Sequence, residues 1–187
     1  MAGDVRVGGA YSGNRNRDSF GSIVHNDNVG IVSDYGPAGL IPDRSFFDEV
    51  LDLGGYEPLT ETCSLSPASA VIFCQGNSSL RFDQMEGKSV VVDGAINVSG
   101  NAEGQNVFVV ASGSVDFSGM GGNRFRGVVW SGGSLVFKGQ GGTSYEGSFI
   151  SAGSSTFNGG LDITQLSFEE AAPMNGGGSN GMLWEEF

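Results

Sequence analysis

Three segments of the chain stand beneath one another with their glycines, serines and phenylalanines in columns: ASGSVDFSG from Ala111, SGGSLVFKG from Ser131 and SAGSSTFNG from Ser151. Gly113, Gly133 and Gly153 fall in one column, followed by Ser114, Ser134 and Ser154, then Phe117, Phe137 and Phe157, then Gly119, Gly139 and Gly159. The period is 20 residues. An earlier copy, DGAINVSG, fits with one deletion, placing Gly94 under the first glycine and Val98 under the phenylalanines. Further upstream, FGSIVHNDNVGI from Phe20 matches YEGSFISAGSSTF from Tyr145, with Ile23 and Val24 on Phe149 and Ile150, and Ile31 on Phe157.

A repeat of this length built from helices needs long 3.6-period segments free of glycine, whereas these apolar runs are three to five residues long and end at turn glycines. Short strands wound as a coil, each pairing in parallel with its copy about 4.8 Å above, satisfy the period. The expected fold is therefore all-β, a right-handed parallel β-helix with about 20 residues per turn and one short amphipathic helix. Corners in left-handed or otherwise strained conformations favour glycine, which lacks the Cβ that makes them costly, and this predicts stacked corners at the glycine columns. Phe117, Phe137 and Phe157 form the expected core ladder, with Val115 and Leu135 on the same strand face. Each buried phenylalanine contributes roughly 1.5 to 3 kcal/mol. Phe125 and Tyr145 make a second inward column.

Val109, Val129 and Phe149 lie directly beside Val110, Trp130 and Ile150, and neighbours on a strand point to opposite faces. One column must face outwards. Val110, Trp130 and Ile150 are the candidate outward stripe, covered either by the protein's own helix or tail, or by a partner.

The sequence IPDRSFFDEVLDLGGY predicts a helix with Phe46, Phe47, Val50 and Leu51 on one face and Asp48, Glu49 and Asp52 on the other, stopped at Gly54 and Gly55. It would lie on the solenoid side or close one end. Residues 1–163 then form a single solenoid domain, with this helix and a cysteine loop inserted at about 40–80. After Ile163 the repeat stops; residues 164–187 read as a tail that docks back through Leu183 and Trp184, covering strand edges.

Glycine reaches 33 residues while proline is 5, so neither a collagen pattern nor a proline-rich spacer fits. A formal charge of -12 repels nucleic acid and anionic membranes, and neither Arg15 with Arg17 nor Arg124 with Arg126 makes a basic patch with stacking aromatics. Cys63 and Cys74 have the wrong spacing for CxxC chemistry, and the lone His25 is distant, so no metal set is expected. They are either a disulfide of an oxidising compartment or two buried thiols of a cytosolic protein. No signal peptide or bilayer-spanning window appears, which leaves a cytosolic protein or the excised soluble part of a larger one, without membrane contact of its own.

The sequence presents no evident catalytic set. Asp116 and Asp162 are the carboxylates nearest to an acid–base pair, but Val136 and Thr156 replace Asp116 in neighbouring copies. HNDN from His25 and GNRNRD from Gly13 match no defined calcium loop. Ser114, Ser134 and Ser154 have no base and read as corner hydrogen-bonders. No cofactor is expected, and the chain reads as a non-enzyme.

The segments VVVDGAINVSG, VFVVASGSVDFSG, RGVVWSGGSLVFKG and EGSFISAGSSTFNGGLDI resemble the C-terminal β-helix of PilX-type pilus assembly proteins, minor components of type IV pili. The helix around Phe46 to Leu53 and the terminal LWEEF are similar too. Such proteins carry an N-terminal hydrophobic helix, and its absence here fits an excised ectodomain. The resemblance implies an extracellular, non-enzymatic module acting in pilus assembly, adhesion or aggregation, with other pilin subunits or a cell-surface ligand as partners. Two other readings compete: a bactofilin-like cytoskeletal polymer former, and a β-helix polysaccharide-active enzyme.

Overall fold

A computed structural model describes residues 4–7, 11–12, 22–25, 44–100, 103–118 and 124–165. Its strands join one sheet wound into a parallel β-helix. On the first face the order runs β4 (Glu57–Pro58), β5 (Cys63–Ser66), β6 (Val71–Gln75), β8 (Ser89–Asp93), β10 (Glu103–Ala111), β12 (Arg124–Ser131) and the end of β13 (Leu135–Ser151). On the second face β7 (Ser78–Arg81), β9 (Ile96–Ser99), β11 (Val115–Ser118), the start of β13 and the start of β14 (Ser155–Gln165) stack in parallel. The first halves of β10 and β12, the middle of β13 and the end of β14 make the third face.

Parallel register puts each side chain over its copy. Leu80, Val98, Phe117, Phe137 and Phe157 form one column on the second face. The Phe117 and Phe137 rings lie 4.8 Å apart and 8° from parallel, and Phe137 and Phe157 are 5.2 Å apart at the same angle. The expected ladder is present. Phe125 and Tyr145 are paired on the third face and both are buried. The lower end of the core is plugged by α2 (Phe82–Met85), whose Phe82 ring packs 5.6 Å from Phe117. The repeat pattern gives no sign of this plug.

The glycine corners stack, and the expected left-handed backbone accounts for part of them, with Gly100 and Gly159 both at a φ of 97°. Gly113, Gly133 and Gly153 are not among the glycines with positive φ, so left-handed backbone does not explain them. Successive corners approach too closely for a side chain instead: a Cβ on Gly113 would stand 2.8 Å from the Gly94 carbonyl oxygen. The same constraint operates where the third face turns into the first, where a Cβ on Gly147 would stand 2.0 Å from the Gly127 oxygen. The period itself slips on the third face, where Gly139–Thr143 lies against Gly159–Leu161 through a register shift.

The helix forms as α1 (Arg44–Asp52) and lies on the first face, with Phe46, Phe47 and Val50 buried and Asp48, Glu49 and Asp52 exposed. Leu51, expected on the buried face, is 41 % exposed. Phe46, Phe47 and Val50 already fill the contact stripe, and Leu51 follows Val50 by one residue, about a 100° turn away from it. Gly54 and Gly55 both take positive φ, and the Gly54 amide donates to the Leu51 carbonyl.

The cysteine segment is more than an inserted loop. Strand VIFCQ is β6, the first parallel rung of the first face, pairing with β8. β5 folds back antiparallel on it, with Cys63 opposite Cys74, and a disulfide joins the two. The N-terminal copies lie at the other end of the solenoid. β1 (Asp4–Val7) stacks on the end of β13, with Arg6 over Ile150; β3 (Ser22–His25) stacks on β1, with Val24 over Arg6. β2 (Tyr11–Ser12) covers Ser155 and Thr156 of β14. Val24 thus shares the Ile150 column, as the sequence match required, but two strands away. Ile31 and the tail beyond Gln165, including Leu183 and Trp184, lie outside the described residues.

Two substitutions test this packing. Phe137→Ala removes the middle ring of the ladder and should cost about 3 to 5 kcal/mol in denaturant unfolding, several times the cost of the volume-sparing Phe137→Leu. Gly147→Ala should cost about 3 kcal/mol or more, although alanine is the better residue by intrinsic preference; a neutral result would show that the rungs do not approach as described.

Candidate functional site

The outer surface of the first face follows from strand alternation. Val109 and Val129 point inward and join the ladder core with Phe149, while Val110, Trp130 and Ile150 point outward. The outward columns continue to Phe73 and Val91 in one row and to Val71, Phe108 and Val128 in the next. An apolar sheet face of this extent is stable in water only when covered. Here α1 covers it: Phe46, Phe47 and Val50 pack with Val71, Phe73, Val91, Phe108, Val110 and Val128 in a second apolar cluster outside the solenoid.

The helix is fixed at both ends. Arg44 bridges to Asp93 at the corner after β8 and donates to Asp48 at 3.0 Å. These carboxylates, Asp93 first, hold its guanidinium pKa above the ordinary value. At the other end the Tyr56 hydroxyl donates to the Val50 carbonyl oxygen at 2.6 Å, and burial pushes its pKa up to about 12.

The candidate stripe is thereby divided. Val110 is only 1 % exposed under the helix, so the covered alternative holds for it and a partner cannot reach it in this arrangement. Trp130 packs at the cluster margin and is half-buried, as is Ile150. Any docking surface on this stripe is therefore reduced to Trp130 and Ile150, at the end of the face where β1 is added. Leu51 and Leu53 at the end of α1 are the exposed large apolar side chains among the described residues.

The second face is polar outside. Its outward columns run Ser79, Asn97, Asp116, Val136, Thr156 and Arg81, Ser99, Ser118, Lys138, Asn158. Lys138 donates to Asp116 Oδ2 at 2.7 Å and Ser118 donates to Asn97 Oδ1 at 3.2 Å. A shallow groove of about 310 Å³ runs past Asn77, Ser79, Asn97, Ser114 and Asp116. The backbone puts Asp162 on the third face, in register with Ser144, so it is not brought beside Asp116. Asp116 is paired with Lys138. Arg81 pairs with Asp83 instead, and its hydrogen bond holds that carboxyl below the ordinary range.

The corner serines bond along the stack. The Ser134 amide donates to Ser114 Oγ at 3.1 Å, and the Ser134 and Ser154 hydroxyls are 3.2 Å apart. They tie rung to rung. Among the described residues no group of three His, Cys, Asp or Glu side chains could hold a metal ion; GNRNRD and most of HNDN fall outside those residues.

Among the described residues Ser69 Oγ, Asp116 Oδ1 and the Tyr145 hydroxyl are buried without a hydrogen-bond partner. The Tyr145 hydroxyl is buried without a hydrogen bond, its ring 4.5 Å from that of Phe137; burial, and then the charge of Asp116, raise its pKa well above the usual phenol range. Removing an unsatisfied buried hydroxyl while keeping the ring relieves a desolvation cost of about 1 to 3 kcal/mol. Tyr145→Phe should therefore leave thermal stability unchanged or raise it; a loss of more than roughly 1 kcal/mol would mean that the hydroxyl has a partner in solution.

Comparison with protein-family models, characterised proteins and solved structures returns no match for this chain.

Proposed function

We propose that this chain is a non-enzymatic extracellular module of a type IV pilus, of the PilX-like kind, that acts in pilus assembly, adhesion or aggregation through contacts with other subunits or a cell-surface ligand. One observation carries the reading. The solenoid's first rung is closed by a hairpin stapled by the Cys63–Cys74 disulfide, and structural disulfides persist in oxidising compartments. A rigid, ladder-packed rod with an acidic charge of -12 suits a surface exposed to solvent and to ligands rather than to nucleic acid.

Geometry weighs against the two alternatives. At the disulfide end the first face extends two strands beyond β6, through β5 and β4, while β7 has only β9 beside it on the sheet path. Copies stacked end to end would meet on the first face and gape on the second, which disfavours a bactofilin-like polymer. For a polysaccharide-active enzyme, the pairing of Asp116 with Lys138 and the placement of Asp162 on another face weigh against an acid–base couple between these two carboxylates.

A pilus module of this kind has a definite place and redox state. In the source cells the chain should label on the intact surface and appear in sheared appendages, with no titratable thiol after denaturation without reductant. Reducing the disulfide should lower unfolding stability by about 3 kcal/mol on the chain-entropy model. Recovery from the cytosol with two free thiols would overturn the proposal.

A further inference from the structure

Every rung from β6 to β14 is joined to the next by a corner of the chain, so its neighbours are fixed by covalent order. Strands β1, β2 and β3 are different. β1 and β2 stack on β13 and β14, the last strands described, and β3 stacks on β1, yet all three come first in sequence. Parallel backbone ladders place them there. The body's last rung is therefore an acceptor edge, and the strands that fill it are a separable ligand carried by the same chain.

The column through the end of each first-face strand gives the distance the chain must cover. It runs Val92, Ala111, Ser131, Ser151, Val7, His25. Five strand spacings separate Val92 from His25, roughly 24 Å. Arg44, where α1 begins, is bonded to Asp93, beside Val92. The eighteen residues 26–43 join His25 to Arg44, and that length reaches about 60 Å when extended. The tether allows the N-terminal strands to reach their own acceptor with length to spare, and equally to reach the acceptor of a second molecule whose last rung faces it.

We propose that strands β1, β2 and β3 form an exchangeable end cap, and that the edge made by Ile150, Ser151, Ser155 and Thr156 binds the N-terminal strands of a second copy of this chain in a reciprocal dimer. The partner's strands make the same backbone pairs as the chain's own: Arg6 on Ile150, Val7 on Ser151, Tyr11 on Ser155 and Ser12 on Thr156. No new surface is needed. Each molecule makes the same ladder pairing in the two arrangements, so concentration and tether length decide between them. The tether favours self-closure in dilute solution. A crowded surface or a shorter tether favours exchange. Strand exchange of this kind is independent of the compartment in which the protein resides.

Shortening the tether separates the two arrangements. Deleting residues 28–41 leaves a link of about 18 Å at most, too short to close on its own last rung. The deletion variant should sediment as a dimer at concentrations where the full chain is a monomer. Adding Arg6→Pro and Val7→Pro, which remove ladder donors, should return it to monomer. A folded, monomeric deletion variant would overturn the proposal, and so would a dimer indifferent to the prolines. Should the deletion variant fail to fold, the full chain decides: isotopically light and heavy protein is mixed in denaturant, refolded together at high concentration and weighed by native mass spectrometry. Mixed-mass dimers whose share rises with refolding concentration support exchange; monomers alone at every concentration refute it.

Discussion

In a parallel in-register coil, each residue type must tolerate its own copy, or an equivalent, about one strand spacing above and below. That constraint governs the rest of this structure. Aromatic rings meet it by lying flat on one another, as Phe117, Phe137 and Phe157 do within 8° of parallel. Serines meet it by passing hydrogen bonds up the corner. Glycines meet it where the backbone of one rung occupies the space that a side chain of the next would need. Charges meet it least well, and the outward columns accordingly hold Asp116 against Lys138 rather than against another acid.

The constraint also makes ends and outer faces the places where the structure departs from repetition. A stacked rung always leaves an unpaired ladder edge and an uncovered ring. Each end here has its own cover. Phe82 and Met85 of α2 close the core at one end while the disulfide hairpin closes the first face, and the N-terminal strands close the other. On the side, α1 covers the apolar rows that inward packing leaves on the outer surface of the first face. The parts of the chain outside the central repeat are thus the parts that cover its ends and its outer apolar rows.

Legibility in the sequence followed the same division. The fold class, the phenylalanine ladder, the helix and its acidic face could all be read because each is a periodic signal. The corner glycines were correctly placed, but sequence cannot distinguish a positive φ, as at Gly100, from a close approach of two backbones, as at Gly113, Gly133 and Gly153. Val110, Trp130 and Ile150 could be proposed as the outward stripe from the strand pattern, but which of them the helix covers required the structure, because the sequence does not show where the helix docks. Strand β1, only four residues long as DVRV, carries too little pattern to detect. Its position was unreadable for a further reason: a match between Ile23, Val24 and Phe149, Ile150 shows that two segments are alike, not at which end of the stack the earlier one sits. Phe82 was missed because a four-residue helix has no period to read.

The outer stripe shows how covering and function compete for one surface. Helix α1 spans the rows from Phe73 to Val128 and ends before the column is complete. Trp130 and Ile150 stay half-buried at the boundary, on the two first-face strands that precede the N-terminal rung. Gly54 and Gly55 stop α1 in left-handed conformations, and the chain then runs through Tyr56, whose ring packs on Phe73 of β6, into β4 at the disulfide end. The chain therefore leaves the helix away from Trp130 and Ile150, which stay half-buried beside the acceptor edge. A half-covered apolar surface next to a strand-accepting end gives that end both of the terms by which an added strand is held, backbone pairing along the edge and apolar contact beside it.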